Sequence, residues 1–330
     1  MNKKRWIALG IAAVLFFVSL GFRLMSSVFT ADVESVMDMP RQKFQEEVIE
    51  KGTGNKIAIL ELDGVIQDIS TSSLLNSGGY NHERFLEKLE HVGQDTSVDG
   101  VILRVNTPGG GVVESDEIHD KVVELQKEYD KPVYVSMGNT AASGGYYISA
   151  AADKIVAHPA TLTGSIGVIM ENFNFAELAD EYGVEFNTIK SGKFKDIMSQ
   201  SRKMTEEEHN ILQRMVDDMY ADFVQVIVEG RDMSESKVRE LGDGRVYTGK
   251  QAADNGLVDA LGSKEDTIAM MKKDFDWANA KVVKYKGGFE LNQFLGGTVK
   301  SMFGKEADLA ALQELLRQSA GPRAMYLYSK

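Results

Sequence analysis

At 330 residues the chain exceeds the roughly 250 to 300 at which a single hydrophobic core stops growing, so parts beyond one domain are expected. Its 43% apolar content argues against wholesale disorder, and the absence of cysteine removes disulfides, thiolate nucleophiles, iron–sulfur clusters and cysteine zinc sites together. The net charge is −12, yet Lys3, Lys4, Arg5 and Arg23 precede the first acid, so the body is more acidic still and suited to repel a nucleic-acid backbone.

Trp6 to Phe22 is an uncharged run flanked by those bases. As a helix it would be about 25 Å long, and Leu24 and Met25 extend it, so residues 6–25 read as a transmembrane anchor. The bases ahead of the run place a cytoplasmic tip at 1–5 and the acidic bulk outside the cell membrane. A removable signal peptide, with Ser19 and Gly21 near its cleavage site, is the alternative; Arg23 and the apolar stretch after it suit an anchor better. Residues 26–54 read as a stalk or linker, with Pro40 and a Gly52-Thr53-Gly54 hinge, ending in a short amphipathic helix.

From residue 55 to 280 strand-like and helix-like segments alternate. Strands are expected at Lys56–Leu62, Val98–Val105, Pro132–Met137, Lys154–Ala157 and Val184–Ile189, each rich in Ile and Val. Helices fit Asn81–His91, Val113–Tyr129, Gly144–Ala152 and Phe175–Tyr182. That order implies an α/β domain with βαβ units and a largely parallel sheet. Thr205 with Glu208 forms a capping box for a longer helix carrying Ile211, Met215, Met219 and Phe223, closed by Gly230. Shorter helices fit Ser234–Leu241, Thr248–Asn255 and Lys264–Lys273. The C-terminal extension, 281–330, offers a strand-like run at Lys281–Lys286, an amphipathic helix near Ala307–Gln318, and a loose apolar tail after Gly321-Pro322.

Two glycine clusters follow strands. Asn106-Thr107-Pro108-Gly109-Gly110-Gly111 lacks the Gly-Lys-Ser/Thr of a P-loop and the spacing of a dinucleotide fingerprint, so it is either a tight turn or a cradle of backbone amides. Ala141-Ala142-Ser143-Gly144-Gly145-Tyr146-Tyr147 puts a serine at a strand-to-helix corner beside the free amides of the helix start. That arrangement suits a nucleophile with half an oxyanion hole, or merely an N-capping serine. Among His82, His91, His119, His158 and His209, only His158 is placed to be a triad partner; His82, His119 and His209 read as solvated faces. The other possible base is an uncharged lysine, and Lys190, Lys193 and Lys195 cluster at a strand end, where spacing does not choose among them. Thr163-Gly164-Ser165-Ile166-Gly167 supplies a further hydroxyl. No metal or cofactor motif is present: there is no His-Glu-x-x-His and no aspartate-rich loop.

These motifs, with Gly192-x-x-Lys195, Val246-Tyr247-Thr248-Gly249-x-x-Ala252 and Gly256-Leu257-Val258-Asp259, stand in the order found in bacterial signal peptide peptidase A, the protease IV family. From Lys56 to Gly262 the chain resembles the short, single-copy Gram-positive form. The resemblance implies a ClpP/crotonase-like fold and a serine–lysine dyad protease acting on hydrophobic peptides such as signal-peptide remnants. Ser143 would be the nucleophile, Lys195 the general base and Ser165 an accessory hydroxyl, with the amides of Gly110 and Gly144 as oxyanion donors. It further implies a homo-oligomer, a dome-shaped octamer whose dyads span neighbouring subunits. Lys193 is more basic than the residue most relatives carry there. The competing readings are a crotonase-type acyl-CoA enzyme and an inert membrane scaffold. The tail Ala324–Lys330 is a candidate internal substrate or plug.

Overall fold

The computed structural model describes residues 44–68, 80–287 and 324–328. The chain divides into residues 1–45 and a body, residues 46–330. Of the first unit, only Phe44 and Gln45 are among the described residues, and they begin the first strand.

In chain order the elements are β1 (Phe44–Glu50), β2 (Lys56–Asp63), α1 (His82–Gln94), β3 (Gly100–Thr107), β4 (Gly109–Gly111) and α2 (Val112–Lys127). Then come β5 (Val133–Ala142), α3 (Gly144–Ala150), β6 (Lys154–Ala157), β7 (Leu162–Gly164), β8 (Ile169–Met170) and α4 (Ala176–Glu181). They are followed by α5 (Glu206–Arg231), α6 (Glu235–Leu241), β9 (Val246–Thr248), α7 (Gly249–Asn255) and β10 (Ala260–Leu261). The last three are α8 (Lys264–Asp274), β11 (Lys281–Gly287) and β12 (Ala324–Leu327).

The main sheet has the order β1-β11-β2-β3-β5-β6-β10, and every pair from β11 to β10 is parallel. A parallel sheet needs cover on both faces, which is why its strands are continuous apolar runs and not alternating ones. Ile57, Ile59, Ile102 and Tyr134 form one buried cluster with Ile268 and Met271 of α8. By the period-two rule Ala58, Leu60, Val101 and Leu103 turn to the opposite face, and all four are buried as well. Fully burying an Ile or Leu contributes about 1.5 to 3 kcal/mol, so these strands hold the scaffold on which the loops at their carboxyl ends are mounted.

Those ends carry the glycine clusters. Asn106 joins them: its Oδ1 accepts from the amides of Asn139 (3.1 Å) and Thr140 (3.3 Å), tying the end of β3 to β5 across a register shift between Val105 and Thr107. Beyond that point β5 leaves β6 and pairs with β7, parallel, and β7 pairs with β9, antiparallel. A second sheet, β4-β12-β8, lies beside the same corner.

The α/β reading with a largely parallel sheet is therefore correct, with local corrections. Val184–Ile189 forms no strand; it lies exposed and irregular, because no described strand offers its backbone a partner. The described end of the stalk is edge strand β1, not a helix: Glu46 reaches Lys56 and Lys281, and Glu47 reaches Lys286, cross-strand pairs that a helix would not make. Gly230 does not close α5, which continues to Arg231. A methyl there would fall 2.0 Å from the Ala150 carbonyl oxygen, so the glycine serves the close crossing of α5 over the end of α3. The anchor at 6–25 and the helix near Ala307–Gln318 lie outside the described residues. Among those residues, no helix is long and apolar enough to cross a membrane.

Candidate active site

Ser143 stands between β5 and α3 with φ 53° and ψ −116°. Such a left-handed position costs a non-glycine residue about 1 to 3 kcal/mol and persists only where surroundings enforce it. Here the Ser143 amide donates to the Gly164 carbonyl (2.8 Å), and its own carbonyl accepts from the amides of Tyr146 (2.8 Å) and Tyr147 (2.9 Å). Its hydroxyl makes no capping bond to α3, which removes the N-cap explanation. The side chain is left available at the corner, only 1% of the residue being exposed in the single chain.

The glycine strand β4 runs alongside. Thr107 Oγ1 accepts from the Gly109 amide (3.0 Å), fixing a turn in which Gly109 adopts φ +101°. One edge of β4 is occupied by Ile66, whose amide donates to the Gly109 carbonyl (2.9 Å) and whose carbonyl accepts from the Gly111 amide (2.8 Å). The amide and carbonyl of Gly110 therefore face the other way. A methyl on Gly109 would lie 2.7 Å from the Gly144 nitrogen, and one on Gly144 would lie 3.3 Å from the Gly110 nitrogen. The backbones of β4 and the start of α3 thus approach closely beside Ser143, and only glycines permit the approach.

On that free edge lies β12, antiparallel to β4 with Met325, Tyr326 and Leu327 opposite Gly111, Gly110 and Gly109, and antiparallel to β8 on its far side. The Tyr328 amide donates to the Pro108 carbonyl (2.8 Å). Since antiparallel pairs alternate between bonded and non-bonded, the Tyr326–Gly110 pair, two residues along, is a bonded one. The Gly110 amide then meets the Tyr326 carbonyl, whose oxygen would stand 2.0 Å from a methyl on Gly109. The Tyr326 ring is buried, stacked on Tyr147 (centroids 5.0 Å) and tilted against Phe223 (4.7 Å), with its hydroxyl donating to the Met219 carbonyl (3.1 Å). Tyr147 in turn donates to Asp116 Oδ1 (2.6 Å); burial, then that carboxylate, push the Tyr147 phenol well above its usual range.

Ser165 also has a left-handed backbone (φ 51°), with its amide donating to the Arg245 carbonyl (2.9 Å). Because the preceding residue, Gly164, receives the Ser143 amide, the two serine loops are joined. The three lysines differ in one respect. Lys190 donates to Asp196 Oδ1 (2.6 Å) and Lys193 pairs with Glu207, whereas the Lys195 amine has neither an ion pair nor a hydrogen bond among the described residues. Lys195 is exposed, and no bond links it to Ser143 within one chain. His158 is exposed too, and among the described residues its ring accepts only the Ala160 amide, so it takes no part in this corner.

The sequence model of peptidase family S49 matches residues 125–278. A protein of Enterococcus faecium provisionally named signal peptide peptidase SppA is 40% identical, with 99% of each chain covered. The chain belongs to peptidase family S49. The chain is also similar to the chloroplastic serine protease SPPA of Arabidopsis thaliana, 32% identical over 83% of this chain and 41% of the plant protein. Protease 4 of Haemophilus influenzae is 37% identical over 65% of this chain and 34% of its own length. Membership makes this chain a protease of serine type, related to signal peptide peptidase A.

For an S49 protease, some parts of the corner escaped the sequence reading. Ile66 gave no signal, because its contribution is main-chain pairing at a bridge. His82, read as a solvated face, is buried with Nδ1 2.6 Å from the Tyr80 hydroxyl and Nε2 2.6 Å from Glu117. Its charged helical surroundings concealed that, although Tyr80 two residues earlier was a usable cue. His119 packs its ring edge on Tyr147.

Proposed function

We propose that this protease is a membrane-anchored endopeptidase using a Ser143–Lys195 dyad on a ClpP/crotonase-like fold, cutting hydrophobic peptides such as signal-peptide remnants. The domain plan is an anchor at 6–25, a linker at 26–54, a catalytic domain at 55–280 and an extension at 281–330. The observation that carries the reading is β12: an extended segment of polypeptide lies against the glycine strand, with one carbonyl directed at the Gly110 amide beside Ser143. A substrate bound the same way would present its scissile carbonyl to the Gly110 and Gly144 amides, with an aromatic or large apolar side chain between Tyr147 and Phe223.

In this scheme the uncharged Lys195 amine takes the Ser143 proton as Oγ attacks the carbonyl carbon, and the oxyanion forms against the two amides. The resulting ammonium returns its proton to the leaving nitrogen, breaking the peptide bond and leaving an ester on Ser143. Lys195 then activates water to release the acid. Ser165 is placed in the loop joined to that of Ser143, suited to orient the lysine amine. Because Lys195 is exposed and unbonded in one chain, a neighbouring subunit is assigned to complete the dyad within a homo-octamer. The acidic body would stand outside the cell membrane, close to apolar peptides.

The test is labelling by a serine-directed acylating probe, followed by peptide mapping. Modification is expected at Ser143 and to vanish in Ser143→Ala and Lys195→Ala. Labelling elsewhere, or none, would reject the assignment. The tail gives a second readout: if β12 lies as a substrate would, with the Tyr326 carbonyl toward the Gly110 amide, the bond cut is Tyr326–Leu327. Intact mass should show active enzyme ending at Tyr326 and Ser143→Ala ending at Lys330; identical C-termini would remove the tail as an internal substrate.

A further inference from the structure

The segment that carries Lys195 is held by an ion cluster that nothing in the catalytic scheme uses. Asp196, the next residue, accepts two bonds from one edge of the Arg202 guanidinium, Nε to Oδ2 and Nη2 to Oδ1, each at 2.8 Å. Its Oδ1 also accepts from Lys190 at 2.6 Å, and its backbone carbonyl accepts from Arg202 Nη2 at 3.0 Å. Arg202 donates Nη1 to Glu208 Oε2 (2.8 Å) and Nη2 to Glu208 Oε1. Glu208 is the buried acid of the capping box that opens α5, receiving the Thr205 amide at 2.9 Å. Lys190 closes the loop from the other side by donating to the Lys193 carbonyl at 3.0 Å. Lys195 is thus spanned by residues fastened to one another and, through Arg202, to the first turn of a 26-residue helix.

The cluster holds two cations and two carboxylates, so its formal charge cancels. The neighbouring charges also pair off, Lys193 with Glu207 and Lys203 with Glu177, while Glu206 and His209 on the first turn of α5 are exposed. A base lysine needs this combination. A rigid support restricts where its amine can go, and a support without net charge neither favours the ammonium nor opposes it.

We propose that Lys190, Asp196, Arg202 and Glu208 form a charge-balanced positioning device that fixes the Lys195 loop to α5. The inference rests on the Ser143–Lys195 reading above. It predicts that the sign of an introduced imbalance, and not only the loss of a contact, governs catalysis. Arg202→Gln and Lys190→Gln each leave one uncompensated negative charge and should move the acidic limb of the pH–rate profile to higher pH. Asp196→Asn leaves one positive charge and should move it lower, each by about half a pH unit for a partly screened charge at this range. Arg202→Lys keeps the charge and loses the two-edged geometry; it should lower kcat several-fold, leaving the limb in place and KM little changed.

The measurement is kcat and KM for an apolar fluorogenic peptide between pH 6 and 10 on full-length enzyme, with circular dichroism as the folding check. Lys190 is the milder site, since its amine touches only Asp196 and the Lys193 carbonyl, so Lys190→Gln reads the negative imbalance even if Arg202→Gln misfolds. Opposite shifts for the two signs support the device. For the charge-changing variants, shifts in one common direction or unmoved limbs overturn it and leave a merely structural network. Lys195→Ala separates the two levels: retained turnover there refutes the dyad itself, while lost turnover with unmoved limbs refutes only the device.

Discussion

Ser143 is held in a backbone conformation that serine avoids, by an amide bond to Gly164 and by two helix amides on its own carbonyl. Its hydroxyl is not used to cap the helix, so replacing it removes chemistry and not structure. Ser143→Ala should leave the unfolding temperature within a degree or two and reduce turnover to background, as measured by peptide hydrolysis and thermal melting. Lys195→Arg should be as damaging as Lys195→Ala, because a guanidinium stays protonated at any working pH. Comparable rates for Lys195→Arg and wild type would contradict proton transfer by this residue. The serine and both glycine clusters were legible in the sequence because each has a local signature, a small-residue corner after an apolar strand. The proposed base was not legible by spacing, since Lys190, Lys193 and Lys195 look alike until their partners are known. The acids that distinguish them, Asp196 and Glu207, act through contacts that depend on how the loop folds back on α5.

At the scale of elements, α5 links stability to acidity. The Arg202 guanidinium, then the Thr205 amide, lower the Glu208 carboxyl from 4.5 to about 2. Asp196 is held well below its usual range by Arg202 and then Lys190. Both pKa values are depressed on folding, so the stabilisation is complete above the unfolded values and is lost as pH falls through the folded ones. The unfolding temperature should therefore decline between about pH 4.5 and 2, and Glu208→Gln should flatten that decline. An equally steep fall in the variant would place the acid sensitivity elsewhere. The capping box itself was readable from Thr205 and Glu208, and the two short helices read as starting at Ser234 and Thr248 do have those residues as N-caps. The strand Val184–Ile189 was misread because β-rich composition reports a fit to a pleated surface and cannot supply a neighbour. β12 was foreseen only as a tail, since pairing with β4 depends on a free edge far away in sequence. Deleting 324–330 should raise the initial rate on a dilute peptide several-fold, because a tethered competitor acts at an effective concentration of order mM. An unchanged rate would mean that the tail does not compete.

For the whole molecule, the alternation of apolar runs and amphipathic segments was sufficient to predict a parallel α/β sheet; β2, β3, β5, β6 and β10 stand in chain order, whereas β11 returns to the far side of β2. What a single chain cannot bury is also informative. Phe173 and Tyr182 are each 79% exposed and Ile189 fully so, with Val184 and Phe186 about half exposed, on the segment that leads to Lys195. An apolar surface of this kind marks a contact face, and the proposed homo-oligomer would cover it with another copy. Ile189→Asp should therefore yield smaller particles in sedimentation velocity and lose turnover while still folding; unchanged size and activity would argue against assembly through this face.

The slot around β12 makes one further demand. It grips main chain along both rims, β4 on one and β8 on the other, so whatever enters must arrive already stretched and with its own amides unspent. A peptide leaving a bilayer is wound as a helix, whose amides are committed to its own carbonyls. On the proposal that such peptides are the substrates, unravelling about one turn would precede any cut, and the ease of that unwinding, more than the identity of the residue at the break, would decide which are cleared first.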